Sequence, residues 1–289
     1  MMKNLKTYRM FESSVALTPE QVEWLDRCTE GTWQLNPQTG LVDVDGSFDC
    51  SEQGLSDFKG VRFGKVGRDF YCHNNQLPSL DGAPREIRLD FYCDDNQLTT
   101  LEGAPHKVGG DFWCRNNQLT TLEGAPENVG RDFYCDYNQL SSLEGAPQEV
   151  RNFDCSHNQL SSLEGAPQKV RANFYCKYNQ LTTLEGAPQK VGGNFSCNNN
   201  QLTTLEGAPQ KVGGHFSCEN SPVSAKTLKS ISSRMRDGES YLKAVGSLWT
   251  KIPVEDQTLL YRPGFDWVGP DEARKLDALR AYQGFKGMI

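Results

Sequence analysis

Ten cysteines in a chain of 289 residues are the side chains with the most obvious chemistry, as metal ligands, disulfides or nucleophiles. Nine of them fall at Cys50, Cys72, Cys93, Cys114, Cys135, Cys155, Cys176, Cys197 and Cys218, in steps of 22, 21, 21, 21, 20, 21, 21 and 21 residues. A metal site needs ligands converging tetrahedrally at about 2.3 Å, which a straight column cannot supply, and no Cys-x-x-Cys pair occurs. Parallel, in-register Cβ vectors also hold neighbouring sulfurs too far apart for a strain-free bridge. The column is therefore expected to be small buried hydrophobes, a role free cysteine often fills. Nucleophilic catalysis has no better footing. His73, His106, His157 and His215 all occupy repeat positions with no recurring nucleophile beside them. The chain is expected to be non-enzymatic, with no catalytic residue, cofactor or metal.

Two other sets of residues recur with the same period. An aromatic column runs through Tyr71, Tyr92, Trp113, Tyr134 and Tyr175. Aspartates recur at Asp69, Asp90, Asp111 and Asp132, giving way to asparagine at Asn152, Asn173 and Asn194. Exposed Tyr and Trp are enriched at binding hot spots. Carboxylates about 4.8 Å apart repel by roughly 1 kcal/mol in a water-like medium. Arg68 and Arg131 are placed to relieve part of that repulsion, and a basic segment of a partner would relieve more. Calcium is a weaker fit, because side chains in a flat column make a poor cage for the roughly 6–8 oxygen contacts it takes.

The element that must position these side chains is a repeat of about 21 residues, best seen from Val108 to Pro126 as V-x-x-x-F-x-C-x-x-N-x-L-x-x-L-x-G-A-P. In Asp-Phe-Tyr-Cys-Asp, strand alternation sends Phe and Cys inward and the other three residues outward. Stacked units then form a parallel ladder, with inner columns of Phe, Cys, two Leu and Ile or Val. The asparagine column from Asn75 to Asn200 is expected to turn inward onto backbone groups at the strand exit. Gly-Ala-Pro marks a tight extended or 3₁₀ return, since 21 residues leave little room for a helix. The one short unit, lacking a residue between Val150 and Phe153, is expected to shorten a turn and leave the ladder intact. Outward columns then hold the partner-facing residues: the aromatics, the aspartates, and a varied third column that includes Arg115, Asp136 and Lys177.

This unit resembles the leucine-rich repeat, L-x-x-L-x-L-x-x-N/C-x-L, with Phe and Cys at the two central leucine sites and Asn117 at the asparagine site. Its length is similar to the short repeat of bacterial leucine-rich-repeat effectors and of related tailed-phage proteins, over residues 48–221. The resemblance implies a curved parallel array that recognises a protein through its concave face. It does not supply a partner. Some effectors of this class carry a C-terminal ubiquitin-ligase domain with a catalytic cysteine, but no cysteine follows Cys218. The alternative is a structural or adhesive part of a phage particle, and Leu5 to Glu12 resembles the amino termini of T4-type phage proteins.

The flanks read as caps, which a solenoid requires where its core would otherwise be open. Over residues 1–46, Thr18-Pro19-Glu20-Gln21 starts a helix with Val22, Leu25 and Cys28 on one side and Trp24 adjacent. Trp33 and Val42 lie on the two arms of a hairpin about Asn36–Gly40. The array is placed at 47–221 and a helical cap at 222–289. The total charge is −7. From Pro222 onward 11 Lys and Arg stand against 8 Asp and Glu, a net +3, so residues 1–221 hold −10. An acidic face argues against nucleic acid, which needs Lys and Arg at its phosphates. No run approaches the roughly 18–20 apolar residues of a membrane span, and the polar stretch after the basic start is not expected to act as a secretory leader. The expected location is a cytoplasm, or the virion for a phage-encoded chain.

Overall fold

The computed structural model describes residues 16–218 and 220–223. The helices expected over 222–289 lie outside the described residues. The array is a solenoid of parallel β-strands, one unit stacked on the next. Helix α1 (Pro19–Cys28) opens with the expected capping box: the Gln21 backbone N–H donates to Thr18 Oγ1 at 3.2 Å, and the Thr18 N–H donates to Gln21 Oε1 at 2.9 Å. Trp24, Leu25 and Cys28 are buried, whereas Val22 is only half-buried, so the inward stripe is centred one residue away from the expected one. Trp24 meets Phe48 edge-on at 5.2 Å and donates from Nε1 to Gln53 Oε1 at 3.0 Å. The helix thus covers the first rung of the core.

Strand β1 (Thr29–Glu30) pairs antiparallel with β4 (Ser47–Asp49). From β4 onward one residue pair per unit extends the sheet in parallel, through Phe70–Tyr71, Phe91–Tyr92, Phe112–Trp113 and so on to Phe216–Ser217, making ten strands in all. The expected hairpin is present as β2 (Trp33–Leu35) and β3 (Val42–Val44). It feeds a second ladder on the return side of the solenoid.

Inside, the phenylalanine that opens each front strand, from Phe48 to Phe216, is fully buried and stacks on the next, with centroids 5.1 Å apart at the closest in this column, Phe112 to Phe133. All ten cysteines are free and buried. Several thiols reach the next rung, as Cys93 Sγ does in donating to the Trp113 carbonyl at 3.2 Å. Burial pushes the repeat thiols from Cys50 to Cys197 up, away from the reactive thiolate. Each inward asparagine serves two rungs. Asn117 Nδ2 donates to the carbonyls of Cys93 and Cys114, at 3.0 and 3.2 Å, and its Oδ1 accepts the Leu98 N–H at 3.0 Å.

The return is an extended segment, with no 3₁₀ turn among the described residues. At Leu101-Glu102-Gly103-Ala104 the Ala104 N–H donates to the Leu101 carbonyl at 2.9 Å. Gly103 has φ +86°, and a Cβ there would stand 2.7 Å from the Leu80 carbonyl oxygen. A type II turn stacked this closely admits only glycine. After each Pro a two-residue strand such as Lys107–Val108 forms the second ladder, which the sequence reading did not foresee. The short unit also differs in part from expectation. The front ladder passes through it, with Phe133 paired to Phe153. The return ladder splits there, into a six-stranded sheet ending at Asn128–Val129 and a four-stranded sheet starting at Glu149–Val150.

Candidate partner-binding face

Strand alternation buries Phe and presents the next residue on the outer face of the ten-stranded sheet. Tyr71, Tyr92, Trp113, Tyr134 and Tyr175 are all half-buried there. Four of them form a continuous stack: Tyr71 to Tyr92 at 4.9 Å, Tyr92 to Trp113 at 5.8 Å, and Trp113 to Tyr134 at 4.1 Å. The stack ends at Asp154, which pairs in register with Tyr134 on one side and Tyr175 on the other. Tyr92 and Tyr134 donate their hydroxyls to Asp90 Oδ2 and Asp132 Oδ2, at 3.3 and 3.1 Å. Partial burial and the adjacent carboxylates push both phenols well up, so they remain donors.

The aspartate column has a structural use that the sequence reading missed. Asp69, Asp90, Asp111 and Asp132 each accept, through Oδ1, the backbone N–H of the residue one rung on, at 3.0, 2.6, 3.0 and 3.1 Å. Asn152, Asn173 and Asn194 continue the same clip at 2.9, 2.8 and 2.8 Å. Charge relief falls to Arg131, 3.6 Å from Asp111, and Arg151, 3.8 Å from Asp132, where Arg68 and Arg131 were expected. Burial still raises the Asp111 carboxyl, with the charges of Asp132 and Asp90 adding to it. The negative charge is only partly answered within the fold.

In the third column Arg115 Nη2 pairs with Asp136 Oδ2 at 2.9 Å and its guanidinium lies 5.9 Å from the Trp113 ring centre. Asp136 is only 4% exposed, and burial, reinforced by the charge of Asp154 and opposed by Arg115, pushes its carboxyl from 3.8 to about 6. Among the described residues, Asp136 Oδ1, Asp94 Oδ1 and Trp113 Nε1 are buried with no hydrogen-bond partner. Lys177 places its ammonium 5.2 Å from the Tyr175 ring centre. The predicted residues therefore lie in three adjacent columns of one face, and Tyr175 and Lys177 are separated from the main stack by Asp154.

One group was overlooked. Tyr137, His157 and Tyr178 occupy the position before the inward asparagine and stack at 4.2 and 4.3 Å along the rim of the face. The two tyrosines are 49% and 50% exposed. Every residue at this position adopts a left-handed backbone, with φ +52 to +57°. Asn and Asp, which tolerate that conformation, fill the position in the other units apart from Glu52 in the first. Three consecutive aromatics where the backbone favours Asn or Asp were the signal available in the sequence.

Among the described residues no three His, Cys, Asp or Glu side chains group to hold a metal ion, and no helix is long and apolar enough to cross a membrane. No protein-family model matches the chain, and no curated protein matches it. Among solved structures the chain is similar to YopM from Yersinia enterocolitica WA-314, at 19% sequence identity and a TM-score of 0.48. The match covers 71% of this chain and 51% of that one, so this chain spans about half the length of that structure.

Proposed function

We propose that the chain is a non-enzymatic scaffold that binds a protein partner through the outer face of its ten-stranded sheet. The observation that carries this reading is the half-exposed stack Tyr71–Tyr92–Trp113–Tyr134. Stacking for its own sake is already provided by the buried phenylalanines, and the ladder continues unchanged where the outward column becomes Ser196 and Ser217. The outer aromatics therefore exceed what the sheet needs. Large rigid rings on a solenoid face supply contact area at low entropic cost, the composition of binding hot spots.

The aspartates bias the choice of partner. Asp69, Asp90, Asp111 and Asp132, with Asp136 beside them, favour a partner that presents a basic segment and disfavour nucleic acid. The short repeat is similar to that of bacterial-effector and tailed-phage leucine-rich-repeat proteins, which supports a site of action in a cytoplasm or, for a phage-encoded chain, in the virion.

Affinity capture from cell lysate tests the reading, comparing the native chain with Tyr92→Ala/Trp113→Ala/Tyr134→Ala. The triple variant is expected to stay folded by circular dichroism and to lose its partner by tenfold or more. A folded triple variant that keeps every partner removes the face from consideration. Recovery of the chain in purified phage particles would favour the structural role instead.

A further inference from the structure

The interruption of the aromatic column at Asp154 leaves a notch with a chemistry of its own. Tyr134 and Tyr175 form its walls, each one strand from Asp154, which lies between them on the same face. Two strand spacings put the walls about 10 Å apart. A group sandwiched between two rings at contact distances of about 3.5–4.0 Å needs about 7–8 Å, so the gap admits one side chain. Diagonally adjacent is Asp136, almost wholly buried, with Oδ2 taken by Arg115 and Oδ1 left without a partner among the described residues. The site thus combines π faces, an anionic floor and an unused buried acceptor. All three features favour a group that is cationic and donates hydrogen bonds.

The chain's own cations show the same preference. Lys177 lies over the Tyr175 ring, and Arg115 lies over Trp113 one rung from Tyr134. The unit that carries Asp154 is also the short one, at which the return ladder splits. The exposed stack of Tyr137, His157 and Tyr178 edges the same three rungs.

We infer that the Tyr134–Asp154–Tyr175 notch receives a single arginine or lysine side chain from a basic peptide segment of the partner. The inference rests on the reading of the sheet face as a protein-binding surface and names where the basic segment anchors. Asp154 Oδ1 already accepts the Ser156 N–H at 2.9 Å, which holds the carboxylate in place. Its remaining oxygen is the acceptor for the incoming donors, the two rings hold the cation between their faces, and the buried carboxylate of Asp136 adds charge attraction from beneath.

The test is a nuclear magnetic resonance titration of the full chain with acetyl-Ala-Ala-Arg-Ala-Ala-amide and with its citrulline counterpart, which has the same shape and no charge. The arginine peptide is expected to shift the amide signals of Asp136, Asp154 and Ser156 saturably, at least tenfold more tightly than the citrulline peptide. Asp154→Tyr, which fills the notch with the residue its neighbours carry, is expected to weaken the arginine peptide at least tenfold. Asp154→Asn, which removes only charge and keeps the acceptor for Ser156, is expected to weaken it three- to fivefold. Asp69→Asn removes an equal charge at the far end of the face and is expected to stay within twofold of the native chain. Failure of the native chain to bind the arginine peptide, equal binding of the citrulline peptide, or equal losses in Asp69→Asn and Asp154→Asn would each overturn the notch. If Asp154→Tyr keeps the partner that Tyr92→Ala/Trp113→Ala/Tyr134→Ala loses, the notch fails and the face reading stands.

Discussion

The two halves of the array share an interior and differ on the face. From Phe70 to Phe133 and from Phe153 to Phe216 the same Phe, Cys, Leu and Asn columns are buried in the same register. On the face, the first half presents Tyr71, Tyr92, Trp113 and Tyr134 beside four aspartates. The second half presents Asp154 and Tyr175, then Ser196 and Ser217, beside Asn152, Asn173, Asn194 and His215. The clip from side-chain Oδ1 to the next backbone N–H is made equally well by Asp132, at 3.1 Å, and by Asn173, at 2.8 Å. A neutral amide therefore suffices for the fold. The charge that the first half retains, raising carboxyls such as that of Asp111, is surplus to folding, and so is its outer ring stack. A solenoid's energy is approximately a sum over units and their interfaces. Features present in one half and dispensable in the other are thus where function can be sought without confusion with stability.

The sharpest way to break this comparison is to attack the shared interior in both halves. Phe112→Ala and Phe195→Ala are each expected to cost about 3–5 kcal/mol by urea denaturation, and to agree within about 1 kcal/mol. A large disparity would mean the halves are not equivalent inside, and the face could no longer be treated separately. The next effect separates the clip from its charge. Asp111→Ala leaves the Asp132 N–H without its acceptor and is expected to cost about 1–3 kcal/mol. Asp111→Asn is expected to be as stable as the native chain or more so. If both substitutions cost the same, the charge is structural after all and the contrast between the halves loses its meaning.

The smallest effect concerns pH. Asp136 has its carboxyl raised from 3.8 to about 6 by burial and by Asp154, so the folded state holds a proton there that the unfolded state has released between those values. Stability at this residue therefore falls as pH rises through that window and is recovered on acidification. Asp136→Asn is expected to melt above the native chain at pH 7.5, with the difference shrinking toward zero by pH 4. A difference that grows on acidification would show that the Arg115 pair outweighs burial, and that Asp136 belongs to the fold in the way the inward asparagines do.

Much of the molecule was legible in advance because the relevant signals are local. Period-2 alternation assigned Phe, Cys and Leu to the interior, the Thr18–Gln21 capping box marked the start of α1, and Asn36–Gly40 marked the hairpin. The inward asparagines were read correctly because an invariant polar position inside a hydrophobic pattern must satisfy backbone groups. The face was legible only as a set of columns. That Asp111 bonds the Asp132 N–H, that Arg151 approaches Asp132, and that Tyr137, His157 and Tyr178 stack are all relations between residues 19 to 21 apart. No local rule specifies them. The Val22 side of α1 was misjudged for a similar reason: what a short helix buries is decided by the Phe48 and Phe63 rings it meets.

The sequence by itself thus determined the period, the strand alternation and the inward Phe, Cys, Leu, Ile or Val and Asn columns, since these follow from side-chain direction in an extended chain repeated at a fixed step; the burial of alanines such as Ala104 and Ala166 in the return was not among them. Only the tertiary structure decided which oxygen clips which rung, where the return ladder splits, and that Asp154 interrupts a ring stack beside a buried, unpartnered carboxylate oxygen. Those facts arise when units 20 or 21 residues apart are brought to within one strand spacing, where small differences in length and side-chain reach select the contacts.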